Sequence, residues 1–111
     1  MKNSRDQSPE IIINHWAEHF NNGNLEYLLN MYHEEATLLP TFLSKALSTR
    51  EQIEDYFIKT IEGQASVELD HDKTIKKRFS EDIYLMTGAY TFCIKTKDNA
   101  KYLSWFTFLI D

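Results

Sequence analysis

Apolar positions follow a helical period in the first half of the chain and an alternating period in the second half. The first helical run starts after Ser8 and Pro9, a capping residue followed by a first-turn proline, and stops at Asn22. Its apolar positions recur at helical spacing. They are Ile12, Ile13, Trp16, Ala17 and Phe20. The pattern predicts a first helix over this run.

Two more helices are predicted before residue 64. Asn24 is placed to cap a second helix, which ends near residues 33–35 and shares one apolar face. That face consists of Leu25, Leu28, Leu29 and Tyr32. A third helix follows two overlapping capping boxes, Ser48 with Glu51 and Thr49 with Gln52, and Gly63 closes it. Its apolar stripe is Ile53, Tyr56, Phe57, Thr60 and Ile61.

After Gln64 the pattern becomes alternating, which predicts an antiparallel sheet of at least four strands. Polar residues at 80–82 and 97–99 are expected to form the hairpin turns. Residues 36–42 are apolar and β-branched, but Pro40 cannot donate a ladder hydrogen bond. This segment is therefore predicted to be a short edge strand or the end of a strand. The side chains expected to be largely buried between helices and sheet are Trp16, Phe20, Leu28, Tyr56, Phe57, Tyr90, Phe92 and Phe106.

Length, net charge and composition predict the number of domains and the kinds of partner. The 111 residues fit one domain, 1–111, with residues 1–8 as a flexible segment. A net charge of -5 argues against a nucleic-acid partner. The basic cluster at 73–78 suits either a contact patch for nucleic acid or acidic lipid, or a solvated strand with Ile75 and Phe79 turned inward, and the acidic balance of the chain favours the solvated strand. The lone cysteine, Cys93, alternates within a strand and is expected to be a small buried side chain. With no second cysteine for a disulfide and no run long enough to span a bilayer, we expect a cytoplasmic protein without a membrane partner.

The order of elements and several short motifs resemble the nuclear transport factor 2-like superfamily. Within it the chain is similar to SnoaL-like proteins related to the association domain of calcium/calmodulin-dependent protein kinase II. The motifs are Tyr-His-Glu-Glu-Ala-Thr-Leu-Leu-Pro-Thr at 32–41, Ile-Glu-Asp-Tyr-Phe at 53–57, Gly-Ala-Tyr-Thr-Phe at 88–92 and Phe-Thr-Phe at 106–108. The resemblance implies an α+β cone, with three helices on a curved antiparallel sheet and a cavity between the layers.

The chain departs from the resembled proteins in two places. They usually carry an alanine-arginine pair before the Phe-Thr-Phe motif, whose arginine suits an anionic ligand in the cavity, whereas Ser104 and Trp105 stand here. They also usually end in one more strand, whereas this chain stops at Asp111. We therefore expect residues 101–110 to form an exposed, hydrophobic sheet edge.

The resemblance also supplies a weak catalytic candidate. Enzymes of the superfamily place an acidic or histidine base near the cavity mouth, and Glu35 matches that place. Such a base needs an opposing proton donor, for which Tyr32, Tyr56 and Tyr90 are candidates. Tyrosines at these spacings are also typical of a packed core. The predicted ligand pocket comprises Trp16, Tyr32, Leu39, Tyr56, Tyr90 and Trp105.

The sequence predicts neither a metal site nor a bound cofactor. His15 and His19 lie four residues apart but have no third ligand nearby, and His71 is expected in a solvated turn. The sequence has no phosphate loop or nucleophile elbow, so no cofactor is predicted.

Two functional hypotheses follow. The first is a module that binds a small hydrophobic ligand or self-associates as a homodimer. The alternative is a small isomerase, dehydratase or cyclase acting on a hydrophobic carbonyl compound. Alternation in residues 101–110 divides the large side chains of the last strand between its two faces, with Tyr102, Phe106, Phe108 and Ile110 on one and Leu103, Trp105 and Leu109 on the other. Only one set can fill the cavity, so the other set is expected to remain exposed and to favour a homodimer through the open face of the sheet or its final strand.

Overall fold

A computed structural model describes residues 8–40 and 45–110 of the chain. In this part, the helices are α1 (Pro9–Asn21), α2 (Leu25–Asn30) and α3 (Arg50–Glu62), and the strands are β1 (Ala65–Arg78), β2 (Tyr84–Ile94) and β3 (Ala100–Ile110). The predicted α+β architecture is confirmed. The predicted flexible segment, residues 1–8, lies outside the described residues apart from Ser8. Among the helices described, none combines the length and the apolar character needed to cross a bilayer.

The third helix begins at one of its two predicted capping boxes. The Thr49 hydroxyl accepts a hydrogen bond from the backbone N–H of Gln52 at 3.1 Å, and the Gln52 side chain accepts one from the backbone N–H of Thr49 at 3.3 Å. The same Gln52 oxygen also accepts from the backbone N–H of Ser48 at 2.9 Å. Ser48 thus contributes its backbone to the cap, and Thr49 is the capping residue.

The second helix is shorter than predicted. It ends at Asn30, and the chain then turns through residues 31–35 instead of remaining helical. The Arg50 guanidinium donates to the backbone carbonyls of Leu29 and, at 3.4 Å, of Tyr32. The Leu29 carbonyl also accepts the backbone N–H of Tyr32 at 3.1 Å, so Arg50 reinforces the end of α2 and the turn that follows it.

The sheet has three antiparallel strands in the order β1-β2-β3 among the described residues, and the prediction of at least four strands is wrong. The alternating segments at 65–70 and 75–78 belong to one strand. Its register shifts between Asp70, which pairs with Ala89, and Ile75, which pairs with Thr87. The extra residues form a bulge where the sequence indicated a turn at His71.

The predicted strand at 36–42 does not join this sheet. Leu38 forms a single antiparallel bridge with Leu47, with two hydrogen bonds of 2.8 Å. Residues 41 and 42 lie outside the described part. Strand β3 therefore forms one edge of the described sheet, as expected from the sequence.

Both predicted hairpin turns are confirmed. Residues 79–83 connect β1 to β2, and residues 95–99 connect β2 to β3. Asp98 and Asn99 both adopt a φ of 57°, a left-handed conformation that their short polar side chains tolerate.

The core lies between the helices and the inner face of the sheet. Six side chains predicted to be buried are so: Trp16, Phe20, Leu28, Phe57, Phe92 and Phe106. Tyr56 and Tyr90 are only half-buried, contrary to the prediction. The side-chain amide of Asn21 binds both the N–H and the C=O of Val67, at 2.7 and 2.9 Å, and so joins the end of α1 to β1.

The orientation predicted for the basic segment of β1 is wrong. Ile75 and Phe79 are 57% and 66% exposed, because Ile75 faces away from the helices and Phe79 lies in the turn. Lys76 lies on the helix side, where its Nζ contacts the Glu10 carboxylate at 2.8 Å. This contact lowers the pKa of Glu10. Cys93, predicted to be buried, is half-buried on the face away from the helices.

Candidate functional site

Aromatic side chains pack against one another in the interior of the cone, where the sequence predicted a pocket. The indole N–H of Trp16 donates to the Tyr32 hydroxyl at 3.0 Å, and both residues are buried. Burial raises the pKa of the Tyr32 hydroxyl, because a phenolate would lose its hydration there. Tyr90 stacks on Trp16 with ring centroids 5.9 Å apart. Three of the six predicted pocket residues therefore form part of the packed interior.

The other three predicted pocket residues lie elsewhere. Leu39 is 83% exposed beside the Leu38 bridge. Trp105 is 68% exposed on the sheet face that points away from the helices, as its pairing with Ala89 requires. Tyr56 lines a separate cavity. The structure does not bring the six residues together at one site.

Glu35, the weak catalytic candidate, is exposed in the turn that follows α2. Its carboxylate is hydrated there. Of its candidate proton donors, the Tyr32 hydroxyl is buried and already accepts the Trp16 indole. Among the residues that the structure describes, none desolvates Glu35 in the way that a general base requires.

We expect Glu35→Gln to leave the free energy of unfolding within about 0.5 kcal/mol of the unchanged protein, as for surface substitutions in general. Chemical denaturation would measure this. A carbonyl substrate whose turnover fell at least a hundredfold on the same change would instead establish the enzyme alternative.

A cavity of about 430 Å³ lies along the flank of α3, and we call it the α3 cavity. Helix α3 forms one wall, and the adjoining ends of β1 and β2 form the other. The lining residues are Leu47, Gln52, Asp55, Tyr56, Lys59, Thr60, Gly63, Ala65, Phe92, Ile94, Thr96 and Lys97. This volume lies within the range of roughly 300–1,000 Å³ that is typical of small-molecule sites.

Two hydroxyl groups of the α3 cavity have their protons engaged by the backbone. Thr60 donates to the Phe57 carbonyl at 2.8 Å, and Thr96 donates to the Gly63 carbonyl at 3.0 Å. They can therefore only accept hydrogen bonds from a ligand. Lys59 and Lys97 add two ammonium groups, and Asp55 adds one carboxylate.

Sequence reasoning identified only Tyr56 among the residues of the α3 cavity. The polar residues that α3 contributes to this cavity recur at helical spacing, but such a polar stripe usually indicates a solvent-exposed helix face. Most of the opposite wall comes from the end of β2 and the turn after it, about thirty residues beyond the end of α3 in the chain. The pairing register of the strands would have been needed to predict that these two walls adjoin.

The sheet face that points away from the helices carries a stripe of exposed apolar side chains, and we call it the outer sheet face. It includes Ile75 of β1 and Leu103, Trp105 and Leu109 of β3. The Nζ of Lys73 lies 5.8 Å from the centroid of the Trp105 ring. The sequence prediction that Leu103, Trp105 and Leu109 share one face is confirmed, and the structure shows that this face is the exposed one.

The two histidines of α1 contact each other and the beginning of α2. The His15 and His19 ring centroids are 6.5 Å apart. His19 stacks on Tyr27 at 5.1 Å, and its Nδ1 lies 3.2 Å from the Asn24 amide. Within residues 8–40 and 45–110, no three histidine, cysteine or acidic side chains come together in a group that could hold a metal ion.

Comparison with known proteins finds similarity in structure only. No protein-family model matches the chain, and no curated protein matches it. A putative calcium/calmodulin-dependent protein kinase II association domain from Xanthomonas campestris is similar in structure, with a TM-score of 0.76 and 22% identity over 98% of this chain and 79% of that chain.

Two further solved structures show the same architecture. An NTF-2-like protein of unknown function from Shewanella oneidensis has a TM-score of 0.71 and 15% identity, covering 90% of this chain and 81% of that chain. A putative polyketide cyclase from Xanthomonas campestris has a TM-score of 0.62 and 13% identity, covering 92% and 78%. At these identities the likeness establishes the fold. The chain has the nuclear transport factor 2-like fold, as its sequence motifs indicated.

Proposed function

We propose that this protein is a non-catalytic module that forms a homodimer through the outer sheet face. The observation that carries the proposal is the exposure of Leu103, Trp105 and Leu109 on one side of an edge strand. Soluble monomers rarely leave a contiguous apolar patch of more than a few hundred Å² in water. The cytoplasmic location expected from composition is part of the same proposal.

The size of the patch is adequate for association. Each large apolar side chain contributes roughly 100–200 Å² when it is fully covered. At ~25 cal/mol per Å², three or four such side chains gain several kcal/mol per subunit. This gain opposes the loss of translational and rotational freedom, which is of similar order. Ile75 extends the patch across to β1, so a flat two-fold contact can use the whole face.

Light scattering coupled to size exclusion at micromolar concentration tests the dimer. We expect twice the chain mass of 13.1 kDa. Trp105→Glu places a charge at the centre of the patch and should yield a monomer, because a buried, unpaired carboxylate costs several kcal/mol.

Tyr27→Glu is the matched control, since Tyr27 is an equally exposed aromatic residue on α2. It should leave the dimer intact. A monodisperse mass near 13.1 kDa for the unchanged protein would refute the proposal, and a dimer that survives Trp105→Glu would place the contact elsewhere.

A second candidate function, the binding of a small hydrophobic ligand, is favoured by the α3 cavity. Its volume and its apolar wall, which includes Tyr56, Phe92 and Ile94, suit such a ligand. The isomerase, dehydratase or cyclase alternative has less support, because its candidate base, Glu35, is exposed and outside this cavity.

A further inference from the structure

The α3 cavity has an apolar interior and a charged rim. Side chains of Leu47, Tyr56, Ala65, Phe92 and Ile94 provide the apolar surface. Lys59, in the last turn of α3, and Lys97, in the turn after β2, provide the cations. The backbone of Gly63 bonds to both the Lys59 carbonyl and the Thr96 hydroxyl, so Lys59 and Lys97 lie at the same end of the cavity. A ligand that fills the cavity meets apolar side chains and, at this end, the two lysines.

The two rim lysines differ from Lys73 and Lys76 of β1 in whether a carboxylate neutralises their charge. Lys73 lies 3.6 Å from the Asp70 carboxylate, and Lys76 lies 2.8 Å from that of Glu10. Among the described residues, Lys59 and Lys97 have no carboxylate within ion-pair distance. Their ammonium groups remain available to a ligand, and they outnumber the single rim carboxylate, Asp55.

The remaining polar groups of the cavity carry no positive charge, so they cannot replace the charge-assisted contact of the lysines. The hydroxyl protons of Thr60 and Thr96 are already donated to backbone carbonyls, and the Gln52 oxygen accepts two backbone N–H groups. The C-terminal end of a helix repels anions, but at the end of α3 the Lys59 and Gly63 carbonyls accept hydrogen bonds from Gly63 and Thr96. These bonds weaken that repulsion.

We propose that the α3 cavity binds a small monocarboxylate with an apolar body, and that Lys59 and Lys97 hold the carboxylate. This proposal rests on the ligand-binding function proposed above for the same cavity. The apolar body lies between Tyr56 and Phe92, and the carboxylate remains at the rim, where charge-assisted hydrogen bonds form without burying either ion completely.

Three probes with the same ten-carbon chain separate charge from hydrophobicity: decanoate, decanol and decyltrimethylammonium. Titration followed by amide chemical shifts gives both the affinity and the location. We expect decanoate to bind at least tenfold more tightly than decanol, with the largest shifts at Gly63, Thr96 and Lys97. Tenfold corresponds to about 1.4 kcal/mol, which is within the range of one charge-assisted contact.

The double variant Lys59→Gln/Lys97→Gln should bring the decanoate preference below about threefold while decanol binding is retained. The matched control is Lys45→Gln/Lys95→Gln, which removes the same charge from two exposed lysines that neither line the cavity nor lie on the outer sheet face. It should keep the full preference. Amide spectra of both variants would show that the fold is intact.

Each other outcome overturns a defined part of the proposal. Equal binding of decanoate and decanol in the cavity would overturn the carboxylate preference and leave ligand binding standing. Tighter binding of decyltrimethylammonium would assign the rim to Asp55. Absence of binding by all three probes would overturn both the carboxylate preference and the ligand-binding function proposed for the α3 cavity. Binding to phosphatidylglycerol vesicles but not to monomeric decanoate would identify a lipid surface as the source of the anion and would also overturn the proposal.

Discussion

Replacement of Phe57 by alanine is expected to lower the free energy of unfolding by about 3–5 kcal/mol, the usual cost of removing a buried phenylalanine. Phe57 is only 1% exposed, and its ring packs against Phe20 and Tyr32 with centroids 6.1 and 5.8 Å apart. The void left by the ring would be bordered by residues of α1, of the turn after α2 and of α3 itself. It could close only if all three of these segments moved. Chemical denaturation at a fixed protein concentration measures the change, because dimerisation would make stability concentration-dependent.

The control for this experiment removes the same ring from a different environment. Phe79 is 66% exposed in the turn between β1 and β2, and Phe79→Ala should change the free energy of unfolding by no more than about 0.5 kcal/mol. A loss of under about 1 kcal/mol for Phe57→Ala would contradict the placement of its ring in the core. If the alanine variant does not fold, Phe57→Leu should fold with a smaller loss.

Helix α3 was predictable because its signals are local. The capping box of Thr49 and Gln52 and the helical spacing of Ile53 and Phe57 lie within nine residues of one another, and the structure contains each of them. Strand β1 was misjudged because its identity depends on a partner. The acidic residues near His71 resemble a turn in isolation, and only the pairing of Asp70 and Ile75 with β2 shows that the strand continues through a bulge.

The candidate site was less predictable than the fold. The aromatic character of Trp16 and Tyr32 indicates an inward orientation, but it does not distinguish a pocket wall from a filled interior. Here a hydrogen bond of 3.0 Å joins the two side chains, which places them in the packed core. The direction of Trp105 depends on strand register, in which a shift of one residue exchanges the two faces. The sequence pattern grouped Leu103, Trp105 and Leu109 correctly but could not assign the face.

Gly88 occupies a position in the middle of β2 that has no room for a side chain. A Cβ added there would lie 2.8 Å from Cζ of Phe106, its cross-strand partner, and 3.2 Å from the backbone Cα of Thr74. The Phe106 ring cannot easily move aside, because it stacks on Tyr90 with centroids 6.0 Å apart and packs against Phe108 at 5.2 Å. Glycine therefore allows an aromatic ring to lie directly over the strand backbone.

Gly88→Ala is expected to destabilise the protein by about 1–3 kcal/mol, the usual cost of overpacking a core. The sign of the change is decisive, because alanine in place of glycine within a strand otherwise stabilises by roughly 0.5–1 kcal/mol. In a Phe106→Leu background the clash is relieved, so the cost of Gly88→Ala should fall by at least about 1 kcal/mol in a double-mutant cycle measured by chemical denaturation. A stabilising Gly88→Ala, or a cost that is the same in both backgrounds, would show that the Phe106 ring does not cover this glycine.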